Sequence, residues 1–469
     1  MKKILLVLIF LCFSLTTYAL NTDSWEKKVE KNYFERINIF IESIKENQLR
    51  LKIVNRRLEA LWEKINHIYT QEAKKVKEMI SHFQEKLGKE IEEPGTFHLD
   101  TPEAVKSLYY TSFAWGSSTR INTLLNFVEN SEINSVTIDI KEVDGYVAFD
   151  MSGYEFSTIQ PKSNNRIKDV RTLIENLHEK GIYVIGRITV FKDKLLAETR
   201  PDLAIKWSDG KNVWYDYKWN KYLDPYSKEV WDYTVEISKA AYDLWFDEIN
   251  FDYVRFPSDG AISNTYYPFS KEIESENKKW GKIMVLDKFS SYISSQLKSE
   301  YPNIVLSADI FGLVTRSDLF RIGQNLESFL LSFDYIWPMV YPSHYWVGTL
   351  GYQVPDNYPY AIIQNALYHS NKRIDALNVQ IQEAQENNEK LRIKDAFFAD
   401  KDISDIDSIP KTRIRPWLQW FSCTWCKGYT PYNREKFREQ IRAVEGAWLT
   451  SWWVWNSGSR YYLDWYNNE

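Results

Sequence analysis

The feature that most constrains this chain is a regular alternation of short β-rich runs with helical segments, which extends from about residue 100 to about residue 455. Such alternation is typical of βα units that build a parallel sheet. Eight candidate strands follow from it: Ser107–Trp115, Ser135–Lys141, Tyr183–Phe191, Glu248–Phe256, Val305–Gly312, Tyr335–Tyr341, Arg415–Phe421 and Ala447–Trp455. Eight is the strand number of a closed β/α barrel.

Helical patterns fall between these runs. The predicted helices are Ile167–Lys180, Lys228–Leu244, Ile283–Glu300 and Arg434–Val444, with an inserted helix over Ile374–Asp400. No GxGxxG motif follows the first strand, which disfavours an open dinucleotide-binding sheet. The sequence therefore predicts an α/β protein with a (β/α)8 TIM barrel over residues 96–469.

The residues before the barrel predict two further segments. Lys2 and Lys3, an apolar run and a small-residue end at Ala19 are typical of a secretory signal peptide over residues 1–19. The run is shorter than the roughly 20 residues of a membrane span, so an uncleaved anchor is the weaker alternative. Residues 20–95 carry apolar positions at helical spacing, which predicts an α-helical hairpin or a coiled coil that self-associates. We therefore expect an exported protein, periplasmic or extracellular.

Charge and cysteine content limit the partners of the chain. The net charge of -5 supplies no basic face for phosphates, so nucleic acid is not an expected partner. After removal of the signal only Cys423 and Cys426 remain, as a CxxC pair. In an exported protein a local disulfide is favoured over a redox motif or half of a metal site. No cluster of His, Cys and Asp shows ligand spacing in the sequence, so neither a metal nor an organic cofactor is expected.

Strand four carries the most informative alternation of polar and apolar residues. Period two separates two faces: Glu248, Asn250 and Asp252 on the first, and Ile249, Phe251 and Tyr253 on the second. In a barrel the apolar face packs on the helices, so the polar face must point into the lumen. Buried carboxylates there need a partner or a chemical role. The neighbouring strands supply Asp139, Lys141 and Arg187, so a layer of ion pairs is expected.

Two acidic residues close adjacent strands. Asp252 ends strand four and Asp309 lies near the end of strand five. Because active sites of such barrels lie at the C-terminal ends of the strands, the two carboxylates should meet there. Paired carboxylates are what glycosidic cleavage requires. Glu248 and Asp139 are reserve candidates, and the alternative is a structural network with Lys141, Arg187 or Arg255.

The later strands end in aromatic clusters. The chain contains 19 Trp and 31 Tyr residues, and sugar rings pack on such side chains, although many of them must simply fill the core. The candidates for substrate binding are Asp139, Lys141, Arg187, Trp337, Tyr341, His344, Trp417, Gln419, Trp453 and Trp455.

Five segments carry a family resemblance, in this order: TIDIKEVDG, LDPYSKEVWDY, FDEINFDYVRFP, SADIFG and DYIWPMVYPSHY. Together they resemble the glycoside-hydrolase barrel family formerly classed as a domain of unknown function, which is distantly similar to α-amylase-like barrels. The resemblance covers about Leu108 to Trp455 and implies a barrel that hydrolyses polysaccharide. It also implies that Asp252 is the nucleophile and Asp309 the acid/base. The larger group has Glu at the second position and a third carboxylate at Gln419, so the chain departs from that pattern.

The sequence thus predicts an exported glycoside hydrolase acting on a polysaccharide or cell-envelope glycan. Asp252 is expected to be the nucleophile or base, and Asp309 the general acid. Two alternatives stay open: a carbohydrate-binding barrel without catalysis, and an envelope scaffold that recruits partners through its N-terminal helices.

Overall fold

The computed structural model describes residues 98–466, apart from positions 153, 155, 157–165, 271–279, 388, 390, 394–395, 398–402, 404–405 and 427. The predicted signal peptide (residues 1–19) and helical region (residues 20–95) lie outside the described residues.

The described residues form a closed barrel of eight parallel strands. We name them β1 to β8 in chain order: Lys106–Tyr110, Ser135–Lys141, Tyr183–Thr189, Glu248–Asp252, Val305–Phe311, Tyr335–Met339, Trp417–Gln419 and Trp452–Trp455. Each strand pairs with the next, and β8 pairs with β1 to close the ring. The predicted (β/α)8 barrel is confirmed.

Helices follow the strands around the outside of the barrel. In chain order, α1 to α8 of the described part are Ser118–Asn130, Val170–His178, Lys194–Thr199, Lys228–Asp243, Gly281–Glu300, Leu326–Leu330, Pro359–Glu386 and Arg434–Gly446. Side-chain caps fix several helix starts, as at α2, where Asp169 accepts a hydrogen bond from the amide of Thr172. The strongly amphipathic α2 buries Val170, Ile174 and Leu177.

Several predicted elements need correction at their ends. β1 ends at Tyr110 and is followed by a 3-10 helix over Ser112–Gly116, where the sequence predicted continued strand. β4 ends at Asp252 because Tyr253 adopts a positive φ of 54°, which no strand accommodates. The inserted helix runs over Pro359–Glu386 instead of Ile374–Asp400. The Gln- and Glu-rich residues continue beyond the end of the helix, so composition alone does not show where the helix ends.

A hairpin-like insertion stands between α3 and α4, on the side where the barrel strands end. Lys206–Trp207 pairs with Thr265–Tyr266 from the connection that follows β4. Antiparallel bridges join Ala204 to Leu223 and Tyr215 to Lys221. Residues 204–223 therefore form a small structure anchored to two barrel connections.

The barrel interior is filled by large aromatic side chains. Its fully buried members include Tyr183, Ile185, Trp337, Trp417 and Trp453. Trp417 and Trp453 stack with ring centroids 3.9 Å apart. The lumen below the mouth is therefore a packed core, and a ligand could enter only at the layer of side chains above it.

Two further predictions concern single features of the chain. Cys423 and Cys426 are joined by a disulfide, as predicted. Among the described residues, no helix combines the length and the apolar character required to cross a bilayer.

Asp247 fastens the N-terminal end of β4 to its surroundings. Its carboxylate, 3 % exposed, accepts hydrogen bonds from the amides of Val184 and Leu99, both at 2.7 Å. His178 Nε2 lies 2.9 Å from its second oxygen. One side chain therefore ties β3, β4, α2 and the segment before β1 together.

We predict that Asp247→Ala lowers the free energy of unfolding by about 3 kcal/mol, because it leaves two buried amides without an acceptor. Urea denaturation followed by circular dichroism measures the change. As a control, Asp375→Ala removes only an exposed ion pair with Lys411 and should cost less than about 0.5 kcal/mol. Equal effects of the two substitutions would contradict the role of Asp247.

Candidate active site

The guanidinium of Arg187 occupies the centre of the barrel mouth. It donates to Asp139 Oδ1 at 2.5 Å and pairs with Asp252 through its second terminal nitrogen. Its Nε lies 3.8 Å from Asp309 Oδ2. Burial alone lowers the pKa of Arg187, but the charges of Asp139 and Asp252 offset this and raise it above its ordinary value. One buried cation therefore holds three carboxyl groups from β2, β4 and β5 together.

Asp309 is deeply buried, with 1 % of its surface exposed, against 5 % for Asp252. Its Oδ1 accepts hydrogen bonds from the indole of Trp417 at 2.9 Å and from the amide of Asn250 at 3.1 Å. Burial raises the pKa of Asp309 well above its ordinary value, and the charge of Asp252 raises it further, against the opposing effect of Arg187. Asp309 is therefore arranged to hold a proton on Oδ2.

Asp252 has the opposite surroundings. Arg187 pairs with its Oδ2, and the amide of Tyr253 donates to its Oδ1 at 2.5 Å. A cation and a backbone amide therefore each contact one oxygen of this carboxylate. The positive φ of Tyr253 turns the chain sharply at this point and aims the amide back at Asp252. The sequence placed Tyr253 on the helix-facing side, which is wrong, because the turn carries its ring to the mouth beside Lys192, 4.9 Å away.

Asp139 completes the upper layer. Burial raises the pKa of Asp139 to about 6, against the lowering effect of Arg187. Tyr109 of β1 donates to its Oδ2 at 2.5 Å. Tyr109 is not among the residues predicted from the sequence, although the alternation of Ser107 and Tyr109 along β1 places it on the inward face in the same way as the acids of β4.

Glu248 does not belong to this group. Its carboxylate is fully buried and pairs with Arg415 at 3.0 Å, and it also accepts from the indole of Trp337 at 3.2 Å. It begins β4, one layer of side chains or more beneath Asp252. Glu248 therefore lies outside the layer of ion pairs around Arg187, and the structure gives no support to its reserve role in catalysis.

Lys141 also leaves the predicted site. A register shift in β2 between Asp139 and Lys141 breaks the alternation that placed both on one face. Lys141 Nζ instead binds Asp193 Oδ2 at 2.6 Å, with 1 % of the lysine exposed. Asp193 in turn caps α3 through the amide of Leu196. The lysine thus holds a helix start and does not line the mouth.

Three predicted stacking residues are interior side chains. Trp337, Trp417 and Trp453 expose 1 % of their surface or less, and their rings pack on one another inside the barrel. Gln419 is also buried: its amide is used by Ser343, Asp356 and Phe421. The predicted substrate contacts of these four residues are corrected to structural ones.

Tyr341, Trp455 and His344 lie at the rim. Tyr341 packs against Trp455 at 5.9 Å and against His344 at 5.5 Å between ring centroids. Burial raises the pKa of Tyr341, and the negative charges of Asp309 and Asp252 raise it further. These three rings therefore form one wall of the mouth.

Several polar atoms around Arg187 find no hydrogen-bond partner within the described part of the chain. They are Arg187 Nε, Thr189 Oγ1, Asn250 Oδ1 and Asp309 Oδ2. Buried polar groups are ordinarily satisfied, so a cluster of unsatisfied ones marks a place where hydroxyl groups of a ligand or water bind.

One group of residues in the described ranges has metal-ligand spacing. Ligand atoms of His344, Cys423 and Cys426 all lie within 4.8 Å of one another. This histidine could not be predicted as a partner of the CxxC pair, because His344 is distant from the two cysteines along the chain. The disulfide occupies both sulfurs, so this group offers only the imidazole to a metal ion in this state.

Comparison with known proteins identifies relatives of the barrel. The profile of the family described as "Putative glycosyl hydrolase domain" matches residues 107–386 and 381–461. A hypothetical protein from Ruminiclostridium thermocellum ATCC 27405 is 33% identical, covering 43% of this chain and 96% of that chain, with a TM-score of 0.37. The glycoside hydrolase domain of PgaB (BpsB) from Bordetella bronchiseptica is 12% identical, covering 76% and 95%, with a TM-score of 0.51, and is similar in fold. No curated protein matches the chain.

The charge balance around Arg187 leads to a pH-dependent prediction. Arg187→Met leaves Asp139 and Asp252 without their cation, which should lower the free energy of unfolding by about 3–5 kcal/mol at pH 8. A buried acid with a raised pKa destabilises the folded state as pH rises from about 3.9 through its folded pKa. The loss should therefore be smaller at pH 5, where Asp139 is protonated.

Urea denaturation of the variant and the parent at both pH values measures the difference. Arg200→Met serves as the control, because its pairs with Asp202 and Glu229 are largely exposed and should cost less than about 1 kcal/mol at either pH. A loss for Arg187→Met that is the same at pH 5 and pH 8 would refute the assignment.

Proposed function

We propose, from the premise that this chain belongs to the family of glycosyl hydrolase domains, that its barrel cleaves glycosidic bonds with Asp309 as general acid and Asp252 as nucleophile or base. The substrate is a polysaccharide or a cell-envelope glycan.

The contrast between the surroundings of the two carboxyl groups carries this proposal. Asp309 is buried, bears a raised pKa and keeps Oδ2 without a hydrogen-bond partner in the described residues. Asp252 is paired with Arg187 and with an amide. A buried acid with a raised pKa, next to a carboxylate that is held by a cation and an amide, is what an acid/base division of labour requires.

The reaction follows from these states. Asp309 gives its proton to the glycosidic oxygen while the bond from that oxygen to the anomeric carbon breaks. Asp252 either attacks the anomeric carbon or removes a proton from an attacking water. In the first case water later releases the sugar, and Asp309 takes up the proton of that water. The product anomer seen by NMR distinguishes retention from inversion.

Access to Asp309 requires movement at the rim. Asp252 exposes 5 % of its surface and Asp309 only 1 %, and Tyr341, itself 7 % exposed, packs against Trp455 at the rim. We infer that the entering sugar displaces Tyr341, which then packs on the sugar ring with Trp455. The buried polar atoms around Arg187 are then available to sugar hydroxyls.

Export is part of the proposal. The first 19 residues have the pattern of a signal peptide, and the disulfide between Cys423 and Cys426 suits an oxidising compartment. Mass spectrometry of the N-terminus of protein from the natural host tests it. A mature chain that begins near residue 20 supports export, and a retained Met1 contradicts it.

A second candidate function is carbohydrate binding without catalysis. The close engagement of Asp139 and Asp252 with Arg187 favours it, because an ion-paired carboxylate can hold the fold or a sugar hydroxyl without taking part in catalysis. Binding of an oligosaccharide without release of reducing sugar would select this candidate over the hydrolase.

We predict that Asp252→Asn and Asp309→Asn each lower kcat by about 1000-fold while the fold persists, because each removes one partner of the acid/base pair. Reducing-sugar release measures turnover and circular dichroism checks the fold. Asp287→Asn is the matched control, since Asp287 is equally buried but lies on α5, outside the barrel. Full turnover in either active-site variant would exclude the assigned role.

The indole of Trp417 gives a finer test. Its hydrogen bond stabilises ionised Asp309 and so lowers the pKa of that carboxyl. Trp417→Phe should therefore move the alkaline limb of the kcat profile to higher pH. Trp453→Phe removes a neighbouring indole whose nitrogen has no partner among the described residues, so this limb should stay in place. A limb that is unmoved in Trp417→Phe contradicts Asp309 as the acid.

A further inference from the structure

The insertion at residues 204–223, which we name the aromatic hairpin, carries large aromatic side chains in solvent. Tyr217 is 79 % and Trp219 68 % exposed. The ring of Trp219 stacks on Tyr215 with centroids 4.5 Å apart and planes inclined by 19°. Tyr215 in turn meets the edge of Trp207 at 5.3 Å. One face of the indole is therefore supported by protein, and the exposed surface lies on the other side.

The tip of the aromatic hairpin is held in one conformation. Asp216, 3 % exposed, accepts hydrogen bonds from the amides of Lys218 and Asn220 at 2.8 and 2.9 Å. Trp219 has a positive φ of 62°, which is costly for a bulky residue and persists only when its surroundings enforce it. Trp219 therefore stays exposed because the turn around Asp216 fixes it there.

The aromatic hairpin is also fixed to the connection that follows β4. The indole of Trp214 donates to the carbonyl of Ala261 at 3.3 Å, and Lys206 pairs with Tyr266. Gly260 has a positive φ, and a Cβ there would lie 2.8 Å from the ring of Trp214. The connection thus packs closely beneath the aromatic hairpin and supports it.

Lys192 links the aromatic hairpin to the mouth of the barrel. Its Nζ lies 3.9 Å from Asp216 Oδ2 at the base of the tip. The same Nζ lies 4.9 Å from the ring centroid of Tyr253, the residue that follows Asp252. Lys192 therefore joins the base of the aromatic hairpin to the turn that follows Asp252.

We propose that Tyr215, Tyr217 and Trp219, named here the aromatic platform, form a distal subsite that binds a pyranose ring of a glycan chain whose scissile bond lies at Asp252. This inference rests on the proposed function and names its substrate class as a polymer. The C–H face of a pyranose packs on an aromatic face, whose quadrupole is negative.

The neighbours of the platform favour a sugar over a bilayer or an apolar protein surface. Lys218 and Asn220 alternate along the chain with Tyr217 and Trp219, and the preceding turn carries Asp209, Lys211 and Asn212. Such side chains can bind hydroxyl groups, whereas their desolvation in a membrane would be costly. The rings are already fixed and therefore lose little conformational entropy when a sugar binds, which favours binding.

Affinity electrophoresis tests this subsite on the full chain bearing Asp252→Asn, which prevents hydrolysis. The gels contain xylan, β-glucan, galactomannan or chitosan. We expect at least one polysaccharide to retard the protein, and Trp219→Ala to raise the dissociation constant in that gel roughly tenfold. Trp219→Phe should retain most of the retardation, because it keeps an aromatic face.

Trp448→Ala is the matched control. Trp448 is 92 % exposed and has a positive φ of 60°, but it precedes β8 at the opposite end of the barrel. Equal retardation of the Trp219→Ala and Trp448→Ala variants overturns the platform, as does a lack of retardation in all four gels. Retardation lost only in Trp219→Ala supports it.

Kinetics separate this inference from the proposed function. With Asp252 intact, Trp219→Ala should raise KM for the polysaccharide about tenfold and leave kcat/KM for a 4-nitrophenyl glycoside unchanged, since the short substrate does not reach the platform. Unchanged KM for the polymer overturns the platform while leaving the hydrolase in place. A lack of turnover on every substrate would instead contradict the proposed hydrolase function.

Discussion

The architecture of this site depends on the compensation of one buried cation by buried carboxyl groups. Arg187 enters the mouth from β3 and contacts acids from β2 and β4, with the acid of β5 at 3.8 Å. None of these charges would be stable there alone, because desolvation in the interior costs several kcal/mol for each ion. The ring of strands brings them within reach of each other, and the fold and the chemistry therefore share the same contacts.

The carboxyl groups of the mouth differ in their surroundings. Asp309 is buried against Trp417 and Asn250, and burial raises its pKa well above the ordinary value. Asp252 lies where the guanidinium of Arg187 and the amide of Tyr253 converge. The sharp turn at Tyr253 aims that amide at Asp252 and also sends the chain into the connection that supports the aromatic hairpin. The acids of the mouth and the exposed rings are thus built on the same segments.

The sequence predicted those residues that follow from strand periodicity, and failed where the register changed. Alternation along β4 correctly placed Glu248, Asn250 and Asp252 inside the barrel. A register shift in β2 takes Lys141 out of the site. Glu248 lies deeper in the lumen than Arg187 and pairs with Arg415 instead. Periodicity gives the face of a strand but contains no information on depth or on irregularities.

The sequence by itself determined the eight-strand alternation, the acids at strand ends and the local CxxC pair, because each depends on neighbours along the chain. Only the tertiary structure decided which aromatics were interior and which reached solvent. Trp417 and Trp219 each lie among other aromatic residues in the sequence. Trp417 is nevertheless fully buried beside Asp309, and Trp219 is exposed on the aromatic hairpin. Burial is set by the packing of strands and connections that are far apart in the chain, and no local pattern records it.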